Sequence, residues 1–315
     1  MDKKHIVIIG FGGVGGYFGF KICQNNVTNK QNQISFIARA KTYETVKERG
    51  LTLLSSEHKN SITNPDAIYQ SISKIKNPDL VFICVKEYDL ENICSQLYKV
   101  ITKNTVLLPM MNGADIYDRI RKVIPNNIIL PSCVYVASHI KEKGIIEHKG
   151  KAGQLIFGKD PEHTSENIDW ILNLIEVSKI NFDFKENSQA DIWTKFIFIA
   201  SFGLVTAKHN SSIGDVCSIE LQKEEATKIM IEIKSIADKK GIHLQDDIIQ
   251  KTFKKASTFP PKTPTSLQLD VNSGKENNEL ELFAGAIINY GKEINVNTPF
   301  SEKIFLEIKA THNKV

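Results

Sequence analysis

A short apolar run followed at once by glycines opens the chain: His5-Ile6-Val7-Ile8-Ile9, then Gly10-Phe11-Gly12-Gly13-Val14-Gly15-Gly16. The run predicts a buried strand, and the residues after the glycines predict a helix. At G-x-G-x-x-G spacing the first glycine permits a tight turn, the second lets a pyrophosphate approach, and the third allows close helix packing. Alone, this spacing also occurs in flexible loops, but its place between strand and helix favours a dinucleotide site. The residues predicted to bind it are Gly10, Gly12, Gly13, Val14 and Gly15.

Short apolar runs alternate with amphipathic stretches from residue 4 to about residue 138, a pattern typical of a parallel sheet covered by helices. The predicted strands are His5 to Ile9, Gln33 to Ala38, Leu80 to Val85, Thr105 to Met110 and Ile128 to Val136. The predicted helices are Gly15 to Gln24, Leu90 to Ile101 and Asp115 to Val123. We further expect Ile145 to His148 and Gln154 to Phe157 to form a hairpin that extends the sheet.

Beyond residue 187 the strand patterns stop and long helical periodicity takes over. The predicted helices here are Asp191 to Ala207, Leu221 to Lys240, Asp246 to Ser257, Glu279 to Lys292 and Glu302 to Thr311. We therefore predict an α/β chain with two domains. A Rossmann-type doubly wound parallel sheet occupies residues 1–187, and an all-helical substrate domain occupies residues 188–315.

The composition narrows the class of protein. The 315 residues are 41% hydrophobic and 24% charged, with a net charge of +4 spread over scattered lysines, which argues against a nucleic-acid partner. Uninterrupted apolar runs such as Val81 to Val85 are far shorter than the roughly 20 residues that span a bilayer, and no signal peptide precedes the glycines. We expect a cytoplasmic protein. The five cysteines form no C-x-x-C pair, and no metal-ligand spacing is present, so we expect no metal.

The residues after the second predicted strand bear on the choice of dinucleotide. Sites for NAD place an acid there, whereas this chain has Arg39, with Lys41 close by. A guanidinium suits a 2′-phosphate because it donates paired, charge-assisted hydrogen bonds. The sequence therefore favours NADPH/NADP, and the alternative is that Arg39 is an ordinary surface arginine.

Three other polar residues stand out. Lys86 and Asn112 end two buried strands, where ligands of such sheets bind, although each also fits a simple turn. Lys195 lies within the apolar stretch Trp193 to Phe202. A buried ammonium is costly unless it has partners, so Lys195 is either functional or extends to solvent from the helix.

Taken in order, several short motifs resemble the ketopantoate reductase (2-dehydropantoate 2-reductase) family over nearly the whole chain. They are Gly10 to Gly15, Arg39, Val85-Lys86, Met111-Asn112-Gly113, Gly144 to His148, Trp193 to Phe196, Thr206-Ala207, Ser266 to Val271, Gly274-Lys275 and Glu279. The resemblance implies that Lys195 is the general acid and that Lys86 and Asn112 lie beside the nicotinamide half of NADPH. It further implies that Ser266 touches the substrate and that Glu279 contacts the cofactor ribose or positions the lysine.

The chain departs from the family pattern at positions that usually carry asparagine. They are Ile199, Gly203, Ile213 and Thr263, the last of which is a candidate substrate contact together with Ser266 and Lys195. The expected activity is NADPH-dependent reduction of ketopantoate to pantoate in pantothenate biosynthesis. The alternatives are reduction of a different 2-keto acid and a non-catalytic NADP-binding sensor. The long apolar C-terminal helices fit either a buried core or a homodimer interface.

Overall fold

The computed structural model describes residues 3–56 and 58–312, and the chain divides into two compact units. The first unit comprises Met1–Asn112 and Ile116–Ser188, and the second comprises Gly113–Asp115 and Gln189–Val315. Within the described residues, all strands belong to the first unit and the second is helical. The predicted α/β class, with a parallel sheet followed by a helical part, is confirmed.

The first unit contains three sheets. Its strands are β1 (Lys4–Ile9), β2 (Asn32–Ile37), β3 (Leu51–Ser55), β4 (His58–Thr63), β5 (Ala67–Tyr69), β6 (Leu80–Ile83), β7 (Val106–Pro109), β8 (Ile128–Ile129), β9 (Ser132–Tyr135), β10 (Ser138–Glu142), β11 (Ile145–His148), β12 (Gln154–Gly158) and β13 (Asn181–Lys185). The main sheet is parallel with the order β5-β2-β1-β6-β7-β8. The smaller sheets have the orders β10-β11-β3-β4 and β13-β12-β9.

The helices divide between the two units. Those of the first are α1 (Gly13–Asn29), α2 (Ala40–Arg49), α3 (Glu87–Leu97), α4 (Ile116–Val123) and α5 (Asp169–Val177). Those of the second are α6 (Gln189–His209), α7 (Ile213–Ser218), α8 (Glu220–Lys239), α9 (Ile248–Ala256), α10 (Ser266–Asn272), α11 (Ala286–Ile294) and α12 (Pro299–His312). A π-helical turn, Glu281–Gly285, leads directly into α11.

The main sheet is apolar on both faces. Ile6, Val7 and Ile8 of β1 are fully buried, as is every residue of β6. Because alternate residues of a strand point to opposite faces, this pattern requires cover on both sides, as parallel sheets have. Continuous apolar runs in the sequence therefore mark the central strands.

Two strand predictions are wrong. The run from Ile128 to Val136 forms two short strands, β8 and β9, which belong to different sheets. Pro131 lies between them and has no amide hydrogen to continue a ladder, while its carbonyl oxygen accepts from the Gly158 amide at 2.9 Å. The expected hairpin is absent, because β11 pairs with β10 and β3, whereas β12 pairs with β9 and β13.

The helix α6 is long and apolar enough to cross a membrane by length and composition, although Lys195 and Ser201 interrupt its apolar residues. In the most apolar 18-residue segment of α6, 72% is buried inside the structure. Trp193 and Phe196 of α6 pack edge-on, with ring centroids 6.0 Å apart, and Phe196 lies 6.5 Å from Phe283. These contacts are typical of the central helix of a bundle.

Candidate active site

The glycine turn has the geometry that its spacing predicts. Gly10 has a φ of +90°, and a Cβ there would lie 2.5 Å from the Cys84 carbonyl oxygen. A Cβ on Gly15 would lie 2.0 Å from the Gly10 carbonyl oxygen, and one on Gly13 would lie 2.1 Å from that of Ser138. A side chain at any of these three positions would therefore displace the neighbouring backbone, so the close packing here requires glycine.

Gly12 differs from the other glycines of the turn because a Cβ there meets nothing within 4 Å. Gly12 is also the N-cap of α1, and no side chain caps this helix end. The open space lies where the amides of Gly13, Val14 and Gly15 begin the helix. Uncapped amides at a helix start favour an anion, so this turn fits the pyrophosphate of a dinucleotide.

Three polar residues and the glycine turn follow four neighbouring strands of the main sheet. Arg39 follows β2, the glycine turn follows β1, Lys86 follows β6 and Asn112 follows β7. Because these strands are parallel, their carboxyl ends meet at one edge of the sheet. Lys86 and Asn112 are half-buried there, and Lys86 is the N-cap of α3.

Arg39 is already engaged by an acid. Its Nη1 atom lies 3.1 Å from Oδ1 of Asp89, which is in the first turn of α3. The Arg39 side chain is 57% exposed and that of Asp89 is 31% exposed. Sequence reasoning missed Asp89 as a partner of Arg39. The ionic contact joins residues 50 positions apart, which local patterns do not reveal.

Lys195 lies in the N-terminal third of the second unit's central helix, α6, and is only 8% exposed. Ile192, Trp193, Phe196 and Ile197 beside it in α6 are buried as well. Such surroundings strengthen any electrostatic interaction that the Lys195 ammonium makes, because the local dielectric constant is low. The structure therefore rules out an exposed lysine at this position.

The positions one and two turns beyond Lys195 carry no polar side chain. Ile199 is half-buried, and a Cβ on Gly203 would make ordinary contacts with Leu267 at 3.7 Å and Phe283 at 3.6 Å. Nearby, Ser201 Oγ donates to the Ile197 carbonyl oxygen at 2.6 Å. Neither position therefore offers a side-chain hydrogen bond along this stretch of α6.

The residues predicted to contact substrate lie around the start of α10. Ser266 is the exposed first residue of this helix, and Thr265 is its N-cap. Thr265 Oγ1 is 2.7 Å from Thr206 Oγ1 of α6, so these two hydroxyls bind each other. Thr263 lies in the turn before α10, where its hydroxyl donates to the Pro260 carbonyl oxygen at 2.7 Å. Ile213 is buried at the start of α7.

Glu279 is 4% exposed and lies two residues before the π-helical turn. This turn packs against α6 through Phe283 and Phe196. Two buried ionisable groups, Lys195 and Glu279, therefore lie on adjoining elements of the second unit. A buried carboxylate is retained only where hydrogen bonds or a cation stabilise it.

Among residues 3–56 and 58–312 no cluster of histidine, cysteine or acidic side chains is suited to hold a metal ion. None of the five cysteines forms a disulfide, and four of them are buried. Burial raises the pKa of Cys23 and Cys94 to about 12. High thiol pKa values make these cysteines poor nucleophiles.

Two family models match the chain: ketopantoate reductase PanE/ApbA over residues 6–162 and ketopantoate reductase PanE/ApbA C terminal over residues 187–312. An uncharacterized oxidoreductase, YkpB of Bacillus subtilis (strain 168), is 23% identical over 96% of this chain and 97% of its own.

Solved structures share the fold. A PanE/ApbA family ketopantoate reductase from Ralstonia eutropha JMP134 has a TM-score of 0.86 at 20% identity and covers 98% of this chain and 99% of its own. A D-mandelate dehydrogenase bound to NADH and anilino(oxo)acetate has a TM-score of 0.83 at 20% identity, with the same coverage. Since the family models span both units of the structure, the chain belongs to the ketopantoate reductase family of oxidoreductases.

Proposed function

We propose that the protein reduces a 2-keto acid to the corresponding 2-hydroxy acid with NADPH, and that 2-dehydropantoate is its first candidate substrate. The observation that carries this proposal is Lys195, a lysine only 8% exposed in the central helix of the second unit. A nucleotide-binding protein without catalysis has no need of such a residue. The activity belongs in the cytoplasm and needs no metal, membrane or nucleic acid.

The chemistry assigned to Lys195 is proton donation. A bound NADPH would supply the hydride that the carbonyl carbon needs. The Lys195 ammonium donates a proton from Nζ to the carbonyl oxygen, so that C=O becomes CH–OH, and the neutral amine regains a proton from water. An ammonium also stabilises the negative charge that develops on this oxygen. Lysine suits the role because one ammonium group carries both a proton to donate and a positive charge.

The remaining residues are assigned to binding. Gly10, Gly12, Gly13, Val14 and Gly15 hold the pyrophosphate, and Arg39 holds the 2′-phosphate. Lys86, Asn112 and Glu279 contact the ribose and nicotinamide region, while Ser266 and Thr263 contact the substrate. Support comes from the uncapped start of α1 and the free space at Gly12. The long C-terminal helices also suit a homodimer, which sedimentation analysis tests.

Replacing the lysine tests the mechanism. Lys195→Ala should lower kcat by about 10²- to 10⁴-fold, the usual contribution of a general acid, while NADPH still binds. The matched control is Thr194→Ala, which alters an exposed neighbour on the same helix and should keep full turnover. Steady-state rates with 2-dehydropantoate and fluorescence titration of NADPH measure both quantities. Undiminished turnover in Lys195→Ala would remove Lys195 from the mechanism.

A second candidate substrate is a 2-keto acid with a plain hydrocarbon side chain. Ile199 and Gly203 favour it, because neither has a side chain that could form a hydrogen bond with the substrate. A buried substrate hydroxyl without a partner loses binding free energy there. The D-mandelate dehydrogenase among the structural neighbours supports this widening of the substrate class.

A substrate panel separates the two candidates. If the second candidate is correct, kcat/KM for the hydrocarbon 2-keto acids should exceed kcat/KM for 2-dehydropantoate. Ile199→Asn should then shift the ratio of these two kcat/KM values towards 2-dehydropantoate by about tenfold, the effect of roughly one hydrogen bond. Ile199→Val is the control, since it stays apolar. Faster reduction of 2-dehydropantoate by the wild type would exclude the second candidate. Binding of NADPH with no reduction of any acid would instead indicate a sensor.

A further inference from the structure

An ion pair joins the segment that follows β2 to the helix that follows β6. β1 lies between β2 and β6 in the main sheet. Arg39 follows β2 and Asp89 follows β6, so their contact at 3.1 Å bridges the two neighbours of β1 at the edge where its glycine turn begins. The pair therefore lies within the region where the adenosine end of a dinucleotide binds in such sheets.

Both cations of this segment already face a carboxylate. Besides the Arg39 pair, Lys41 Nζ lies 3.4 Å from Glu44 Oε2. Asp89 is also fixed through its own backbone, because its amide donates to the Lys86 carbonyl oxygen at 3.0 Å. A 2′-phosphate that approaches Arg39 therefore meets a guanidinium whose charge is partly neutralised by a carboxylate held in place.

We propose that Asp89 is a specificity-determining residue that limits the preference of Arg39 for a 2′-phosphorylated nucleotide. The proposal rests on the nucleotide role assigned to Arg39 above. A carboxylate beside the guanidinium repels a phosphate and occupies one of its donors, while it leaves a ribose hydroxyl unaffected. The chain thereby binds NADPH less selectively than Arg39 alone would allow.

The substitution Asp89→Asn isolates the charge. Asparagine keeps the size of the side chain and an oxygen that accepts from Arg39, but it removes the negative charge. Both side chains of the pair are substantially exposed, so the change has little effect on folding. The matched control is Glu91→Gln, which removes a negative charge from an exposed position of the same helix.

The experiment compares 2′,5′-ADP with 5′-AMP by isothermal titration calorimetry on the full chain at low ionic strength. We expect Asp89→Asn to raise the ratio of the two affinities in favour of 2′,5′-ADP by between about twofold and tenfold, the size of a surface charge interaction. Glu91→Gln should leave this ratio unchanged, and added salt should reduce the gain. A ratio that stays constant or falls in Asp89→Asn would overturn the proposal.

The variant Arg39→Ala separates this proposal from the proposed cofactor role. If Arg39→Ala leaves the preference for 2′,5′-ADP intact, Arg39 does not bind the phosphate, and the NADP assignment fails. If Arg39→Ala abolishes the preference but Asp89→Asn does not increase it, only the role of Asp89 fails. The far-ultraviolet spectrum and melting temperature of each variant show that it is folded.

Discussion

The glycines of the first turn have unequal roles at the scale of single residues. Gly15 is needed because the Gly10 carbonyl oxygen would lie 2.0 Å from its Cβ, whereas Gly12 has no neighbour within 4 Å. The first is a packing requirement of the fold, which spacing predicted because it follows from local backbone geometry. The ligand-binding role of Gly12 stays a prediction, with which the open space at this residue agrees.

Alanine at the two positions should therefore have different effects. Gly15→Ala should lower the free energy of unfolding by about 1–3 kcal/mol or more, because the new methyl group forces the backbone apart. Gly12→Ala should leave the melting temperature near that of the wild type but weaken NADPH binding, since its φ of −75° suits alanine and only the open space is filled. Calorimetric melting and NADPH titration test this contrast. Equal losses of stability in both variants would refute it.

Sequence reasoning at this scale failed where two residues meet from distant parts of the chain. Arg39 was predicted to contact the nucleotide from its place after β2. Its partner Asp89 was not predicted, since the two residues lie 50 positions apart. The hydroxyl contact between Thr206 and Thr265 was missed for the same reason. Periodicity describes neighbours along the chain, not partners across the fold.

A carboxylate of one helix caps the start of another. Glu232 of α8 is 5% exposed and accepts from the amides of Phe300 and Ser301 at 2.7 and 2.9 Å and from the Ser301 hydroxyl at 2.6 Å. Amides at the start of a helix have no partner within it. Glu232 therefore fixes α12 to α8.

This contact makes stability depend on pH. Burial is the largest influence on Glu232 and raises its pKa above the ordinary 4.5, although the three hydrogen bonds act in the opposite direction. A group with a raised folded-state pKa contributes stability that is fully present below its unfolded pKa and is lost as pH rises through the folded value.

We therefore expect the stability advantage of the wild type over Glu232→Gln to be largest below pH 4.5 and to shrink as pH rises above that value. Urea unfolding at a series of pH values measures this difference. Glu224→Gln on an exposed part of α8 is the control and should show no such trend. An advantage that grows with pH would contradict the expected sign.

Strands and helices were predicted correctly where the local sequence pattern determines them, and not where distant parts of the chain do. The buried central strands and the long helix α6 were predictable, since continuous apolar runs and helical periodicity determine them. The pairing of β11 and β12 was not, because each strand finds partners far away in the chain. The helix α2 was also missed, and it buries only Val46, so it carries little periodic signal.

At the scale of the whole molecule, the chain combines a strand-rich unit with a helical one. The change in sequence character near residue 187 predicted this arrangement, because each kind of unit needs its own apolar pattern. The same composition could not reveal how the apolar side chains of α6 are covered. Residues from the later part of the chain pack against these side chains, among them Phe283 against Phe196 and Tyr290 against Trp193.

The buried state of α6 has a practical consequence for anyone who shortens this protein. A fragment that stops at residue 209 would present a segment apolar enough for bilayer insertion, stripped of Phe283 and Tyr290. Such a fragment would aggregate or partition into lipid during expression. Truncation at Ser188, ahead of this helix, avoids that outcome.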